Sequence, residues 1–235
     1  MGTRSKDKSD IYYKLSKENG YRARIDLCGA PGSWSQYCQQ NKLRNNKLKI
    51  VTVDLQDIEP IEDVFILKED ITTQSCVDKI LAYFGDEKVD LCLCDGAPDM
   101  TGIHDVDEYF QYQLVSKALE ISLKISKIGG SFIGKIFRGK YTKYVVSMFK
   151  KHYEEVRVLK PKASRHNSIE CFIYCKGKYE HQRDCFPVED FEVIGCGDGP
   201  DSDMTRNLVE KMTLKPLTQP INPPYKDSID KRRAN

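Results

Sequence analysis

The sequence is most informative between residues 25 and 34, which read Ile25-Asp26-Leu27-Cys28-Gly29-Ala30-Pro31-Gly32-Ser33-Trp34. A short apolar run leads here into a turn with two glycines and then into a helix-forming run. Glycine lets the backbone approach a ligand closely, and the N-terminus of the following helix offers unpaired N–H groups. This arrangement predicts a nucleotide- or nucleoside-binding turn, although a glycine turn also joins strand to helix in α/β proteins without such a ligand.

A second apolar run, residues 51–55, carries Asp54 near its end. In nucleotide-binding α/β folds an acid at this place accepts hydrogen bonds from a ribose diol. The turn itself lacks the G-x-G-x-x-G spacing of a dinucleotide fingerprint, and Pro31 stands where that fingerprint has no proline. The predicted ligand is therefore a molecule other than NAD.

Length and composition predict one α/β domain with appendages. The chain has 235 residues and a mass of 27.0 kDa, with 40% hydrophobic and 31% charged residues, which suits a single sizeable core. No apolar run approaches the roughly 18 residues that span a bilayer, and the N-terminus lacks the apolar stretch of a signal peptide. We therefore expect a cytoplasmic protein that does not bind membranes.

The nine cysteines predict neither a disulfide framework nor a metal site. None of them forms a C-x-x-C pair, and the four histidines do not cluster with them. Some lie inside strand-like apolar runs, where a free cysteine acts as a small buried hydrophobe. These are Cys92, Cys94, Cys171 and Cys175.

Apolar runs alternate with longer amphipathic runs, which predicts βα units and a mostly parallel sheet. Strands are predicted near residues 25–28, 49–55, 63–68, 89–95, 131–137, 156–160 and 170–176. Helices are predicted near residues 9–20, 33–43, 74–84, 107–127 and 142–153. The last two strands follow each other without room for a crossover helix, so the final strand is predicted to run antiparallel at the far side of the sheet. The expected fold is a seven-stranded, Rossmann-like α/β sheet.

The chain divides by composition into a basic arm at 1–24, a folded domain at 25–177 and a tail at 178–235. The arm has basic residues interleaved with tyrosines. These are Arg4, Lys6, Lys8, Lys14, Lys17, Arg22 and Arg24, with Tyr12, Tyr13 and Tyr21. Basic side chains neutralise phosphates and aromatic rings stack on bases, so the arm suits RNA. The alternative is an ordinary solvated helix.

Three ionisable residues lie near predicted strand ends, where ligands bind in open α/β sheets. Asp95 closes the fourth strand, Glu170 opens the seventh, and Lys135 stands inside the otherwise apolar fifth strand. An unpaired buried ammonium is costly, so Lys135 must pair with a carboxylate or lose its proton. Asp95 and Glu170 are the predicted partners. The alternative is an ion pair that only ties neighbouring strands together.

Six motifs occur in order along the chain, at residues 26–36, 54–56, 70–72, 94–102, 135–139 and 164–170. Together they resemble the FtsJ/RrmJ family of S-adenosylmethionine-dependent RNA ribose 2′-O-methyltransferases. Further segments resemble the eukaryotic branch that acts on the tRNA anticodon loop. These are residues 4–8, 11–13, 104–109 and 218–225. The resemblance covers nearly the whole chain and implies the methyltransferase variant of the Rossmann-like fold.

The resemblance also implies the cofactor, S-adenosylmethionine, and a tRNA rather than a DNA substrate. The residues that it places in contact with the cofactor are Gly32, Trp34, Asp54, Asp70 and Asp95. It places Asp95, Lys135 and Glu170 in the Lys-Asp-Lys-Glu tetrad of the family, with Lys135 as the proton acceptor. The resembling branch works with separate helper subunits, and the proline-rich tail is the predicted docking element for one.

One departure from the family pattern concerns the first lysine of the tetrad. In the family it lies in a segment between the basic helix and the first strand, and this chain passes directly from Arg24 to Ile25. Either the translated gene structure omits a segment, or the protein is a weakened or inactive enzyme. The second case describes a non-catalytic RNA-binding or assembly protein. A methyltransferase for small molecules or proteins is a third hypothesis, which the basic arm and the pair Lys135 and Glu170 argue against.

Overall fold

The computed structural model describes residues 21–40, 48–161, 164, 168–184, 191 and 193–195. The predicted helix at 9–20, most of the basic arm and the proline-rich part of the tail lie outside the described residues. Within these ranges, eight strands form one sheet and helices pack against it. No helix of the described ranges is both long enough and apolar enough to cross a bilayer.

The described elements alternate strand and helix over most of the chain. The strands are β1 (Ala23–Leu27), β2 (Lys49–Asp54), β3 (Val64–Lys68), β4 (Val89–Cys94), β5 (Ser126–Phe137), β6 (Tyr153–Lys160), β7 (Glu170–Lys178) and β8 (Val193–Gly195). The helices are α1 (Ser33–Gln40), α2 (Gln74–Phe84), α3 (His104–Ile125) and α4 (Thr142–Lys150). Each predicted strand is present, and so is each predicted helix that lies inside the described residues.

The sheet order is β3-β2-β1-β4-β5-β7-β6-β8. Neighbouring strands from β3 to β5 pair in parallel, and β7 runs antiparallel to both β5 and β6. The predicted antiparallel direction of the seventh strand is confirmed. Its predicted place at the far side of the sheet is wrong, because β7 lies between β5 and β6.

An additional strand, β8, extends the sheet beyond β6. It pairs in parallel with β6, with Val193 opposite Val158. The predicted count of seven strands is therefore one too few, since these residues were expected to belong to an extended tail. A strand of three residues shows too little alternation to be recognised in the sequence.

The junction between α3 and β5 also differs from the predicted one. The helix ends at Ile125, and the strand begins at Ser126 rather than near residue 131. Gly129 has a φ of 76°, and the pairing with β4 shifts its register over this stretch. The ammonium of Lys127 pairs with the carboxylate of Asp90 on β4. Gly129 and Gly130 lie inside this irregular part of the strand, which glycine permits at a bulge.

The sheet is buried on both faces. Cys92 and Cys94 of β4 enter the larger apolar cluster, whereas Leu91 and Leu93 point to the other face and enter a second cluster. The cysteines predicted as small hydrophobes, Cys92, Cys94, Cys171 and Cys175, are all buried. Because both faces are covered, the carboxyl edge of the parallel strands is where polar side chains reach solvent.

Candidate active site

The turn between β1 and α1 is fixed by backbone hydrogen bonds. The N–H of Gly29 donates to the carbonyl of Val53 at 3.1 Å, and the N–H of Gly32 donates to the carbonyl of Gly29 at 2.6 Å. The N–H of Gln36 then donates to the carbonyl of Gly32 at 2.9 Å, which starts α1. The predicted ligand-binding turn is thus anchored to β2 on one side and continuous with a helix on the other.

Both glycines of the turn are required by their surroundings. The backbone at Gly29 passes so close to Thr52 Oγ1 and Asp26 Oδ2 that a β-carbon would overlap them. Gly32 has a φ of 102°, and a β-carbon there would lie 2.8 Å from Ile61 Cδ1. Any contact that Gly32 makes with a ligand is therefore made by its backbone.

Asp54 ends β2 and holds the same turn. Its Oδ2 accepts the N–H of Ala30 at 2.9 Å, and its Oδ1 accepts the N–H of Gln56 at 2.8 Å. A carboxylate oxygen has two acceptor sites, so each oxygen can accept a second hydrogen bond. The backbone contacts orient the carboxylate and leave it able to bind a diol.

A cleft of about 1010 Å³ lies at the carboxyl edge of the parallel strands. Its lining includes three of the residues predicted to bind the cofactor, Asp54, Asp70 and Asp95, and its apolar walls include Leu55 and Phe110. The volume is large enough for a nucleoside-sized ligand. Carboxylates that accept hydrogen bonds, together with apolar walls, suit a molecule with a flat base, hydroxyl groups and positive charge.

Asp70 is positioned by the start of α2. Its Oδ1 accepts the N–H of Thr72 at 2.8 Å, and its carbonyl accepts the hydroxyl of Thr73 at 2.8 Å. Thr73 is the N-cap of α2, since its hydroxyl oxygen accepts the N–H of Cys76. The end of β3 and the helix cap therefore fix Asp70 at the wall of the cleft.

Trp34 lies elsewhere. Its ring packs against Phe172 of β7, with 5.8 Å between ring centroids, and its side chain joins the second apolar cluster. Phe172 stands opposite Lys135 in the sheet register. The side chain of Trp34 is therefore close to the strands that carry Lys135 and Glu170, and it is not among the residues that line the cleft in the described chain.

Lys135 pairs with Asp95, with 3.2 Å between Nζ and Oδ1. The lysine side chain is 12% exposed, and the aspartate side chain is 40% exposed. The parallel pairing of β4 and β5 ends with Cys94 opposite Gly134, so Asp95 and Lys135 are the next residues on each strand. Of the two alternatives for a lysine in an apolar strand, the structure shows pairing with a carboxylate.

Glu170 reaches the same edge by way of β7. Lys135 stands opposite Phe172, and Phe137 stands opposite Glu170. Side chains two residues apart on a strand share a face, so Glu170 lies diagonally across from Lys135 on one face of the sheet, within about 7–8 Å. Glu170 is exposed. The register thus brings the three predicted tetrad residues to one stretch of the carboxyl edge, at the ends of the neighbouring strands β4, β5 and β7.

Asp26 is a polar residue of the site region that the sequence prediction did not single out. It lies on β1, is 1% exposed, and accepts the hydroxyl of Ser35 at 2.8 Å. Burial, partly offset by that hydrogen bond, raises the pKa of Asp26 to about 7. An acid between Ile25 and Leu27 in the middle of a strand was the signal that could have identified it.

Three potential metal ligands cluster at the start of α3. The ligand atoms of His104, Asp105 and Glu108 all lie within 4.8 Å of one another. Asp105 pairs with Lys140 at 3.1 Å, and Glu108 accepts the backbone N–H of Tyr141 at 2.6 Å. These carboxylates already hold the turn that follows β5. The expectation of a metal-free site stays a prediction.

The sequence profile of FtsJ-like methyltransferases matches residues 8–178, which include β1 to β7. The chain belongs to the FtsJ-like methyltransferase family. The chain is an S-adenosylmethionine-dependent methyltransferase by family and by fold. The residues that line the cleft suit this cofactor. S-adenosylmethionine carries a diol, a purine and cationic groups, which match the carboxylates and apolar walls of the cleft.

Two curated relatives align over nearly the whole chain. The tRNA (cytidine(32)/guanosine(34)-2′-O)-methyltransferase of Schizosaccharomyces pombe is 38% identical over 281 positions, covering 100% of this chain and 99% of the relative. The mouse protein of the same name is 37% identical, covering 97% and 86%. A crystal structure described as a ribosomal RNA methyltransferase from Plasmodium falciparum has a TM-score of 0.63 at 24% identity, covering 73% of this FtsJ-like chain and 97% of the other. It shares the fold.

The alignment with the S. pombe relative has 281 positions for the 235 residues of this chain, so at least 46 positions lack a residue here. Arg24 is not placed to act as the first lysine that the resemblance expects, because its Nη1 donates to the carbonyl of Cys38 at 3.5 Å and its side chain is buried. Arg24 also lies three residues before the end of β1, about 10 Å from the carboxyl edge.

Proposed function

We propose that this FtsJ-like protein transfers a methyl group from S-adenosylmethionine to ribose 2′-hydroxyls of the tRNA anticodon loop, at the cytidine 32 and guanosine 34 positions that the names of its relatives give. The observation that carries the proposal is the Lys135–Asp95 pair, which lies at the carboxyl edge beside the cofactor cleft. We further propose that the reaction takes place in the cytoplasm.

The roles of the residues follow from the chemistry of the acceptor. Bound S-adenosylmethionine supplies an electrophilic methyl group on a sulfonium centre. A ribose hydroxyl is a weak acid, so its proton must leave as the oxygen attacks in line. In our proposal the neutral amine of Lys135 takes that proton, and the carboxylate of Asp95 stabilises the resulting ammonium. Glu170, diagonal to Lys135 on the same face, orients the ammonium or the ribose.

Exposed aromatic rings support an RNA substrate. Phe110 lines the cleft, and a row of contacts leads away from it through Tyr109 and Tyr141 to Tyr144, with centroid separations of 5.9, 5.8 and 6.4 Å. Tyr109, Phe110 and Tyr144 are 43%, 47% and 65% exposed. Lys140 lies over the ring of Tyr141 at 5.3 Å. Bases of single-stranded RNA stack on such rings, and lysines neutralise the phosphates between them.

We also propose one RNA contact and one protein contact for the two ends of the chain, which lie mostly outside the described residues. The basic arm at 1–24 remains a predicted RNA contact, since most of it lies outside the described residues. The tail at 178–235 remains the predicted docking element for a helper subunit. The part of this tail that is described adds β8 to the edge of the sheet beside β6, so a partner held by the tail would lie at that edge.

A second candidate is a non-catalytic RNA-binding protein, and the absent segment favours it. Among the described residues, Lys135 is the lysine that the structure brings to Asp95, and Arg24 points to Cys38 instead. A site with one lysine has fewer groups to position the ribose. This candidate keeps cofactor and RNA binding but predicts no turnover.

Methyl transfer to tRNA separates the candidates. The purified chain, with and without the corresponding S. pombe segment inserted between Arg24 and Ile25, is incubated with S-adenosylmethionine and unmodified tRNA, and the nucleosides are analysed by mass spectrometry. We expect 2′-O-methylcytidine and 2′-O-methylguanosine, with Lys135→Arg as the inactive control. Absence of both from each version, with cofactor and tRNA still bound, would favour the non-catalytic protein. Methylation of a base instead of a ribose would refute the proposal.

A further inference from the structure

Gln111 connects the two strands that carry the Lys135–Asp95 pair. It lies on α3, is 2% exposed, and uses its side-chain amide as a double donor. Nε2 donates to the carbonyl of Lys135 at 2.7 Å and to the carbonyl of Gly96 at 3.1 Å. Lys135 and Gly96 are 24 and 15 residues from Gln111 in sequence, so these contacts depend on the complete fold.

The place of this bridge matters. The paired residues of β4 and β5 end with Cys94 opposite Gly134, and both strands then enter the carboxyl edge where the site lies. Just beyond this last pair, the amide of Gln111 connects the carbonyl of Gly96, the residue after Asp95, to the carbonyl of Lys135. A side chain thus continues the connection between the strands beyond the last backbone pair.

The orientation of the amide is set by its two acceptors. Turning the amide over would bring Oε1 against two carbonyl oxygens, which repel it. In the orientation found, both N–H groups are used, and Oε1 is buried without a hydrogen-bond partner among the described residues. A buried acceptor without a partner is unfavourable. The two hydrogen bonds that Nε2 donates therefore fix the orientation of the amide, although Oε1 is left without a donor.

We infer that Gln111 is a positioning residue that holds Lys135 against Asp95. Lys135 carries the ammonium, and Gly96 directly follows Asp95, which carries the carboxylate. Holding these two carbonyls keeps the two strand ends together and so supports the 3.2 Å contact between Nζ and Oδ1. Two acids on the preceding turn of α3 hold other loops of this region. Asp107 accepts the N–H and the hydroxyl of Thr101, both at 2.7 Å, and Glu108 accepts the backbone N–H of Tyr141. The effect of Gln111 on catalysis rests on the proposed function.

The kinetic test compares two substitutions on the same helix. Gln111→Met keeps the length of the side chain and removes both the donors and the unused acceptor. Ser122→Ala removes buried hydrogen bonds to Ser126 and Tyr153 at 3.0–3.1 Å, at the opposite end of α3. We expect Gln111→Met to lower kcat at least tenfold, with the dissociation constant of S-adenosylmethionine changed less than threefold. Ser122→Ala should lower the melting temperature and leave kcat within twofold.

A labelling test does not depend on turnover. Native protein is exposed to an amine-acetylating reagent at limiting concentration, and the modification of Lys135 is quantified by mass spectrometry after digestion. Because Lys135 is 12% exposed and paired, we expect slow labelling in the unsubstituted protein and in Ser122→Ala. In Gln111→Met the pair opens, and labelling of Lys135 should rise at least threefold, while labelling of Lys124 on the outer face of α3 stays the same.

The outcomes separate the two proposals. A rise in Lys135 labelling in a protein that never methylates RNA would support the role of Gln111 and refute the proposed function. Equal labelling in Gln111→Met and the unsubstituted protein would overturn the role of Gln111, whatever the activity. The role of Gln111 would also be overturned if Ser122→Ala lowered both kcat and stability as much as Gln111→Met does. A purely structural role of Gln111 predicts that result. If Gln111→Met does not fold, Gln111→Leu, which also lacks donors and has a smaller apolar side chain, takes its place in the labelling test.

Discussion

The carboxylate of Asp54 accepts the backbone N–H of Ala30 at 2.9 Å, which joins the end of β2 to the glycine turn that follows β1. Asp54 therefore has two tasks in one cleft: it shapes the turn, and it faces the place where the cofactor diol is expected. A substitution at Asp54 should affect cofactor binding by both routes.

Asp54→Ala should weaken binding of S-adenosylmethionine by about 1–3 kcal/mol, because it removes a hydrogen-bond acceptor and leaves the N–H of Ala30 without its partner. Titration calorimetry measures the change. Asp57→Ala is the matched control, since Asp57 is 87% exposed and pairs with Lys68. Equal affinity of the Asp54→Ala and Asp57→Ala proteins would remove Asp54 from the cofactor site.

Lys135→Arg should abolish methyl transfer and leave the fold and cofactor binding intact. Arginine keeps the charge beside Asp95 but stays protonated and cannot accept the ribose proton. Lys135→Met should also be inactive yet no less stable to urea, because it removes a largely buried charge while Asp95 remains hydrated. Single-turnover methylation and urea unfolding are the measurements. Turnover in Lys135→Arg at the unsubstituted rate would leave an ion pair between strands as the better account.

Asp26 should make the protein less stable as the pH rises. Its pKa is raised to about 7 by burial, from 3.8, so the folded protein binds a proton that the unfolded chain releases. The free energy of unfolding should therefore fall by about 1.4 kcal/mol per pH unit between about pH 4 and 7 on account of this group, and level off above. Asp26→Asn should gain stability relative to the unsubstituted protein between pH 5 and 8 in urea unfolding. Asp57→Asn, which replaces an exposed carboxylate, should show no such gain in the free energy of unfolding. If Asp26→Asn also showed no gain, Asp26 would be ionised in the folded protein.

Tyr109→Ala and Tyr144→Ala should each weaken tRNA binding by about 1–3 kcal/mol if a base stacks on the ring. The affinity for S-adenosylmethionine should not change. Tyr83→Ala serves as the control, because Tyr83 stacks on Phe65 at the β3 edge of the sheet, with centroids 4.4 Å apart. Fluorescence anisotropy with an anticodon stem-loop measures the affinities. Unchanged affinity in both variants would remove the aromatic row from the proposed RNA contact.

The residues that the sequence could place are those at or near the ends of apolar strands. Asp54, Asp95 and Lys135 lie at ends of apolar runs, and the rule that ligands bind at the carboxyl edge of an open sheet locates them without knowledge of side-chain packing. The direction of β7 followed in the same way from the short connection after β6. The position of β7 between β5 and β6 could not be predicted in this way. The orders β5-β6-β7 and β5-β7-β6 both satisfy the same hydrophobic pattern.

Gln111 and Trp34 show what the sequence could not reveal. The partners of Gln111 are backbone carbonyls, which carry no signal in the sequence, and a glutamine in a helix is ordinary in itself. Trp34 was predicted to contact the cofactor through its motif, whereas its ring packs on Phe172 of β7. That contact is between residues far apart in the chain, so it depends on the strand order that the sequence pattern left open.

The central place of β7 also bears on how the protein is made. β5 and β6 meet only through β7, so during synthesis both strands present unpaired edges until residues 170–178 leave the ribosome. Domains fold from the N-terminus as they emerge, and open strand edges attract other chains. The part of the carboxyl edge that holds Lys135 is thus among the last parts of the sheet to close. A nascent chain halted before Glu170 would have its cofactor turn complete, whereas Lys135 would lack both Glu170 and the pairing of its strand with β7.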